Sequence, residues 1–181
     1  MSKKIVVLNG SPRPKGNTSA LIESFAKGAQ EAGHSVKIYN LHQMNIKGCA
    51  GCWKGGKDSC SPCVQKDDMD KIYPEYAAAD VVVLASPLYY WFIDGQLKTA
   101  FDRLYAVSEC QPKGERVKKD CVLIMAAGGN AYEETLFWYD RLMNHIQWND
   151  RGKILCSGVM NIGDIKDNPK LQEAYELGKS L

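Results

Sequence analysis

The sequence predicts an α/β fold in which five strands form one parallel sheet in the order 2-1-3-4-5, with helices on both faces. Three observations lead there. Several short runs, Ile5 to Leu8, Asp80 to Ala85 and Cys121 to Ala126, are apolar almost throughout, as strands covered on both faces must be. Segments with helical periodicity alternate with those runs, which is the pattern of a parallel sheet built from crossovers. The chain has 181 residues, enough for one well-buried domain and hardly enough for two, and residues 1–181 are read as one. Right-handed crossovers leave few strand orders, and 2-1-3-4-5 suits this length.

Taken in order, Ile5 to Leu8 is the first strand. Asn17 to Gly33 reads as a helix with Leu21, Ile22, Phe25 and Ala29 on one face and Gly33 as its stop. Val36 to Tyr39 alternates and is placed nearer an edge. Asp67 or Asp68 starts a helix leading to the third strand, Asp80 to Ala85, with Pro74 bending that helix or delaying its start. Asp94 caps a helix running through Leu97, Ala100, Phe101 and Leu104. Cys121 to Ala126 is the fourth strand, Glu133 to Trp148 an amphipathic helix, and Ile154 to Met160 the fifth strand. Pro169 to Leu181 is the last helix, with Pro169 in its first turn. In this order the chain reverses direction between the first and third strands, so a ligand is expected beyond their C-terminal ends.

Asn9 to Ser19, NGSPRPKGNTS, lies at that place, between a strand and a helix. A loop so placed aims backbone N–H groups and a helix N-terminus at one anion. Ser11, Asn17, Thr18 and Ser19 add short polar side chains, Arg13 adds a charge that matches phosphate oxygens in pairs, and Gly10 and Gly16 permit close approach. A phosphate fits this set; a plain Pro/Gly-rich turn is the competing reading. Gly16 is followed by Asn17 rather than Lys, so no ATPase loop is present, and no G-x-G-x-x-G occurs either. The ends of the first and third strands, Leu8-Asn9-Gly10 and Ala85-Ser86-Pro87, carry no acid, which excludes a phospho-receiver.

Two more loops fall on the same rim. Ser86 to Asp94 opens with SPLYYW, and Pro87, Leu88, Tyr89, Tyr90 and Trp91 make an aromatic turn where polarity is usual. Flat faces there suit stacking on a planar ring, or else packing against a helix or a second subunit. Ala127-Gly128-Gly129-Asn130 lets a backbone lie against a ligand, or is a turn.

The connection from Leu41 to Lys66 is out of proportion and holds four of the seven cysteines, spaced Cys49-x2-Cys52-x7-Cys60-x2-Cys63. Two C-x2-C pairs could hold a [4Fe–4S] cluster or a zinc ion, or remain free or redox-active thiols. Cys110, Cys121 and Cys156 read as structural.

The pieces GSPRPKGNTS at 10–19, CAGC at 49–52, CVQKDDM at 63–69, SPLYYWFIDGQLKTAFDRL at 86–104 and AAGG at 126–129 together resemble the flavodoxin-like NAD(P)H-dependent FMN reductases, and within them the branch of the iron–sulfur flavoproteins. The resemblance implies that Ser11, Arg13, Gly16, Asn17, Thr18 and Ser19 hold the FMN phosphate. It implies that Pro87, Leu88, Tyr89, Tyr90 and Trp91 flank the ribityl chain and ring, with Gly128 and Gly129 near the ring. NAD(P)H is then the co-substrate and FMN carries the chemistry, with no side-chain catalyst; the acceptor is a quinone, flavin, nitro or azo compound, or metal ion. The alternative is an iron–sulfur electron carrier with a ferredoxin-type partner and Cys49, Cys52, Cys60 and Cys63 as ligands. The branch carries a compact C-x2-C-x2-C, however, and its third position here is Gly55. The relatives are commonly dimers or tetramers, so a homo-oligomer is expected.

Net charge is +2, from 23 basic and 21 acidic residues, without a basic run, so nothing points to nucleic acid. No apolar run is long enough for a signal peptide or a membrane span, and a cytoplasmic protein is expected. His34, His42 and His145 lack ligand spacing, Asp102-Arg103 reads as a solvated or ion-paired helix face, and Trp138, Tyr139 and Trp148 read as core or subunit contacts.

Overall fold

The computed structural model describes residues 1–56, 58, 60–111 and 117–181, so residues 57 and 59 of the cysteine-bearing connection lie outside the described residues. Its sheet runs β2 (Ser35–Asn40), β1 (Lys4–Asn9), β3 (Val81–Tyr89), β5 (Asp120–Ala126) and β6 (Asn149–Cys156), all parallel, while β4 (Phe92–Ile93) pairs antiparallel with the end of β3. With the two-residue β4 set aside, this is the expected 2-1-3-4-5 order.

Strand periodicity divides the core in two. Val6, Leu8, Val82, Leu84 and Leu123 face one layer with α2 (Tyr73–Ala78), α3 (Gly95–Arg103), α4 (Tyr105–Ser108) and α5 (Glu133–Ile146). Ile5, Val7, Val81, Val83 and Ile124 face the other, with α1 (Asn17–Glu31) and α6 (Pro169–Lys179). Leu21, Ile22 and Phe25 form the buried stripe of α1, at about 1.5–3 kcal/mol each. Cys121 and Cys156 are buried in β5 and β6, as expected of small apolar residues.

Four boundaries differ from the sequence reading. Ser86 to Tyr89 continue β3, because Leu88 and Tyr89 find partners in Ile93 and Phe92 of the hairpin. β6 spans Asn149–Cys156, not Ile154 to Met160: its exposed start is recruited by pairing with Asp120 and Cys121, and Met160 lies in the following loop. A 3-10 turn at Asp68–Lys71 precedes α2, whose start Pro74 delays to Tyr73. α5 stops at Ile146 because Gln147 takes a left-handed conformation, φ 58.

Candidate functional site

Asn9 closes β1 and shapes the loop after it. Its side-chain oxygen accepts from the Ser11 amide at 3.0 Å, and its amide nitrogen donates to Asn40 Oδ1 at 2.9 Å. The carbonyl of Arg13 then accepts from the Gly16 amide at 2.9 Å and from Ser19 Oγ at 3.1 Å, so the loop folds back on the first turn of α1. Gly16 caps α1 with no side-chain bond. The amides of Asn17, Thr18 and Ser19 therefore begin the helix with neither an intrahelical nor a capping partner, at its positive end. Ser11, Asn17, Thr18 and Ser19 are buried, while Arg13 is exposed at the rim.

Two close approaches join this loop to its neighbours. Gly10 extends β1 by donating to Ala85 O at 2.9 Å, and a β-carbon on it would stand 2.1 Å from Asp94 Oδ1. Only glycine lets the backbone of the loop after β1 lie against that carboxylate. Asp94 caps α3, accepting from the Leu97 amide at 3.0 Å, and its own amide donates to Ser86 Oγ at 2.8 Å. Burial pushes its carboxyl up to about 6, against the opposing pull of the Leu97 amide, Ser86 and His42. Its Oδ2 is buried with no hydrogen-bond partner among the described residues.

The second approach runs through Met160. Arg13 Nη1 donates to Met160 O at 3.0 Å, and the Met160 side chain lies on Gly128 so closely that a β-carbon there would stand 2.5 Å from its methyl carbon. The loops after β1, β3 and β5 thus meet on one rim. Sequence reasoning missed the fourth segment there, the loop after β6 with Met160 and Asn161. The stretch 157–168 mixes polar residues with Val159, Met160, Ile162 and Ile165 and reads through Met160 as strand, so it carries no signal.

The aromatic segment is a two-residue hairpin, with Tyr90 at φ 49 and Trp91 at φ 63. Both lie in the left-handed region that two-residue hairpins require and that bulky side chains avoid. Thr135 Oγ1 donates to Trp91 O at 2.9 Å, and Phe92 packs edge-on against Trp138 at 5.1 Å, pinning the hairpin to α5. Tyr90 is left 93% exposed and Trp91 55% exposed.

The four clustered cysteines sit on a segment closed at its base by Arg103. Its Nη1 donates to Lys47 O and Asp67 Oδ2, both at 2.7 Å, and its Nη2 donates to Gln65 O at 3.3 Å. Arg103 is therefore buried and ion-paired rather than solvated, whereas Asp102 takes the surface pair with Lys98. All four thiols are free, and Cys49, Cys52 and Cys60 are exposed. Among the described residues no three His, Cys, Asp or Glu side chains stand close enough to hold a metal, so the thiols as placed do not fit one cluster or zinc ion. Gly55, at the position of the missing thiol, packs beneath Glu109 of the turn after α4. Of the helical aromatics, Tyr139 is core, Trp138 meets Phe92 and Phe101, and Trp148 covers Tyr76.

The profile of the NADPH-dependent FMN reductase family matches residues 3–138, about three quarters of the chain. The chain belongs to that family. Among members of known description, this FMN reductase-family chain is 30% identical over 182 residues to an iron-sulfur flavoprotein of Archaeoglobus fulgidus, covering 98% of this chain and 78% of the relative. A second iron-sulfur flavoprotein of the same organism is 36% identical over 102 residues, 55% of this chain and 48% of that protein, so the match spans about half of it. In fold, the chain is similar to an NAD(P)H:quinone oxidoreductase from Methanothermobacter marburgensis, with a TM-score of 0.78 at 20% identity over 99% of this chain and 96% of the other. It is also similar to an FMN-dependent NADH-azoreductase from Bacillus anthracis solved with FMN, with a TM-score of 0.69 at 14% identity over 97% and 98% of the two chains.

The chemistry of these residues matches the parts of FMN. The free amides of the α1 first turn, the Arg13 guanidinium and the small buried hydroxyls of Ser11 and Thr18 suit a phosphate. Asn17 Oδ1, buried without a partner among the described residues, suits a hydroxyl donor. The exposed rings of Tyr90 and Trp91 and the open backbone at Gly129 suit a flat ring. The residues fit the group.

Proposed function

We propose that this protein is an NAD(P)H-dependent FMN oxidoreductase that passes electrons from a nicotinamide to a small acceptor such as a quinone, flavin, nitro or azo compound or metal ion. One observation carries the reading: Met160 ties Arg13 to Gly128 while Gly10 lies on Asp94, so three loops distant in sequence meet over the point where the sheet reverses. Ligands of open α/β sheets bind there. Bound FMN would supply the hydride-accepting and electron-releasing chemistry. The chain's own residues bind and orient: Ser11, Arg13, Gly16, Asn17, Thr18 and Ser19 hold the phosphate. Pro87, Leu88, Tyr89, Tyr90 and Trp91 form one wall of the ring site, with Gly128 under Met160 and the open Gly129 beside it. No side chain is assigned as nucleophile or base. The protein works as one cytoplasmic domain and as a homo-oligomer, for which the exposed Tyr90, Trp91 and Phe137 provide apolar surface; no helix among the described residues is long and apolar enough to cross a membrane.

The alternative, an iron–sulfur electron carrier with a ferredoxin-type partner, draws its support from the relatives' descriptions, and the placement of Cys49, Cys52, Cys60 and Cys63 does not add to it. One preparation separates the two. Protein purified without oxygen is analysed for flavin, iron and sulfide, then mixed with NADPH or NADH. Stoichiometric FMN that bleaches rapidly with a nicotinamide supports the oxidoreductase. Four iron and four sulfide per chain, with bleaching only by reduced ferredoxin, would replace it with the carrier.

A further inference from the structure

The loop between β6 and α6, residues 157–168, carries no recognisable motif, yet it is fastened to two rim segments at once. Arg13 Nη1 donates to Met160 O at 3.0 Å and Asn17 Nδ2 donates to Asn161 O at 2.9 Å, both from the phosphate loop. The Val159 amide donates to Ala127 O at 2.9 Å, which ties the same loop to the Gly-Gly segment. Asp164 Oδ2 accepts from the amides of Met160 and Asn161 at 2.9 and 2.6 Å, so the tip is held in one shape. From that tip Met160 reaches over Gly128: a β-carbon at 128 would stand 2.5 Å from its methyl carbon and 3.2 Å from its sulfur. Met160 is nevertheless 67% exposed, and its neighbour Ile162 is 61% exposed. Two apolar side chains of this loop are thus held out to solvent, and Met160 is the one that lies over Gly128.

We propose that Met160 is a cofactor-positioning residue, its thioether packing against the flavin beside Gly128, and that Arg13 serves the phosphate and this loop together. The inference rests on the FMN reading above. A thioether is soft and polarizable and makes favourable contacts with ring edges. A guanidinium presents five donors in a fixed fork, so one arm can keep the Met160 carbonyl while others meet an anion. Phosphate recognition and ring recognition are then mechanically joined: whatever fixes Arg13 also fixes Met160.

The test uses the full chain and its Met160→Ala, Met160→Leu, Arg13→Ala and Arg13→Ala/Met160→Ala variants, with FMN affinity and the absorption and fluorescence of bound flavin as readouts. Met160 is exposed, so its truncation leaves the fold intact. Met160→Ala is expected to weaken FMN binding by about 5-fold and to shift the bound-flavin spectrum, with Met160→Leu recovering most of the affinity but not the spectrum. In the Arg13→Ala background, where Asn17, Val159 and Asp164 still hold the loop but the Met160 carbonyl has lost the guanidinium, the same truncation is expected to cost less than the roughly 5-fold it costs alone. Wild-type affinity and spectrum in Met160→Ala would overturn the proposal, as would penalties that multiply independently in the double variant. A wild-type chain that takes up no FMN would instead overturn the cofactor reading itself, and this inference with it.

Discussion

The guanidinium of Arg103 forks onto the carboxylate of Asp67, Nη1 to Oδ2 at 2.7 Å and Nη2 to Oδ1 at 3.2 Å, with both side chains withdrawn from solvent. Asp67 also accepts from the amides of Lys47 and Met69, so one ion pair joins α3 to both ends of the cysteine-bearing segment. Burial alone would raise the Asp67 carboxyl; Arg103 and the two amides more than offset it and hold it below the ordinary value. Arg103→Met strands a buried carboxylate and is expected to cost about 3–5 kcal/mol in urea unfolding, while adding Asp67→Asn, which removes the stranded charge and keeps an acceptor for one of the two amides, recovers part of that. Because the folded pKa is depressed, the pair's contribution is full above the unfolded carboxylate value and is lost as pH falls through the folded one. A double variant as unstable as the single would contradict this account.

Asp94 has the opposite sign. Its carboxyl, pushed up by burial to about 6, holds its proton in the folded chain where the unfolded chain has released it. Stability is therefore expected to fall as pH rises from about 4 to about 6 and then to level off, with a total effect of about 2 kcal/mol after allowance for partial solvation. Asp94→Asn keeps an acceptor for the Leu97 amide and removes the titration. Unfolding curves at pH 4.5 and 7 should converge in that variant; an unchanged pH slope would rule Asp94 out as its source.

Gly10→Ala drives a methyl group into Asp94, where the nearest atom is the Oδ1 that caps α3. A loss of about 1–3 kcal/mol is expected, together with weaker FMN binding, because the loop and the cap must move apart. Pairing it with Asp94→Ser, which shortens the side chain yet still caps, is expected to restore part of both losses. A double-mutant cycle in thermal unfolding and FMN titration measures the coupling, and strict additivity would show that the contact is not what matters.

The hairpin at Tyr90 and Trp91 holds two large residues in the left-handed region. Tyr90→Asn with Trp91→Gly supplies the pair that such a turn favours, and is expected to stabilise the fold by about 1–2 kcal/mol. The same change removes the exposed rings, so catalytic efficiency with flat aromatic acceptors is expected to drop at least several-fold. Higher melting temperature with unchanged steady-state kinetics would show that the strain serves something other than the site.

Much of this was legible in the residues. The uninterrupted apolar runs of β1, β3 and β5 can be satisfied only by a sheet covered on both faces, and the polar loop between β1 and α1 was legible because turn residues and helix starts are local properties. Asp94 was legible as a cap for the same reason. The extension of β3 through Tyr89 was not, since it depends on a two-residue partner strand that is too short to carry a pattern. Nor was the early start of β6, whose exposed residues pair only because β5 offers them an edge.

By itself, then, the sequence determined the layers, the strand order and the three loops that crown the sheet, because periodicity, capping and turn chemistry act over a few neighbouring residues. Only the tertiary structure decided that Met160 lies across Gly128 within reach of Arg13 and that Arg103 is buried against Asp67. Those outcomes depend on which side chains from different segments share one small volume, and burial and hydrogen bonding between segments from about thirty to nearly 150 residues apart leave no periodic trace in the chain.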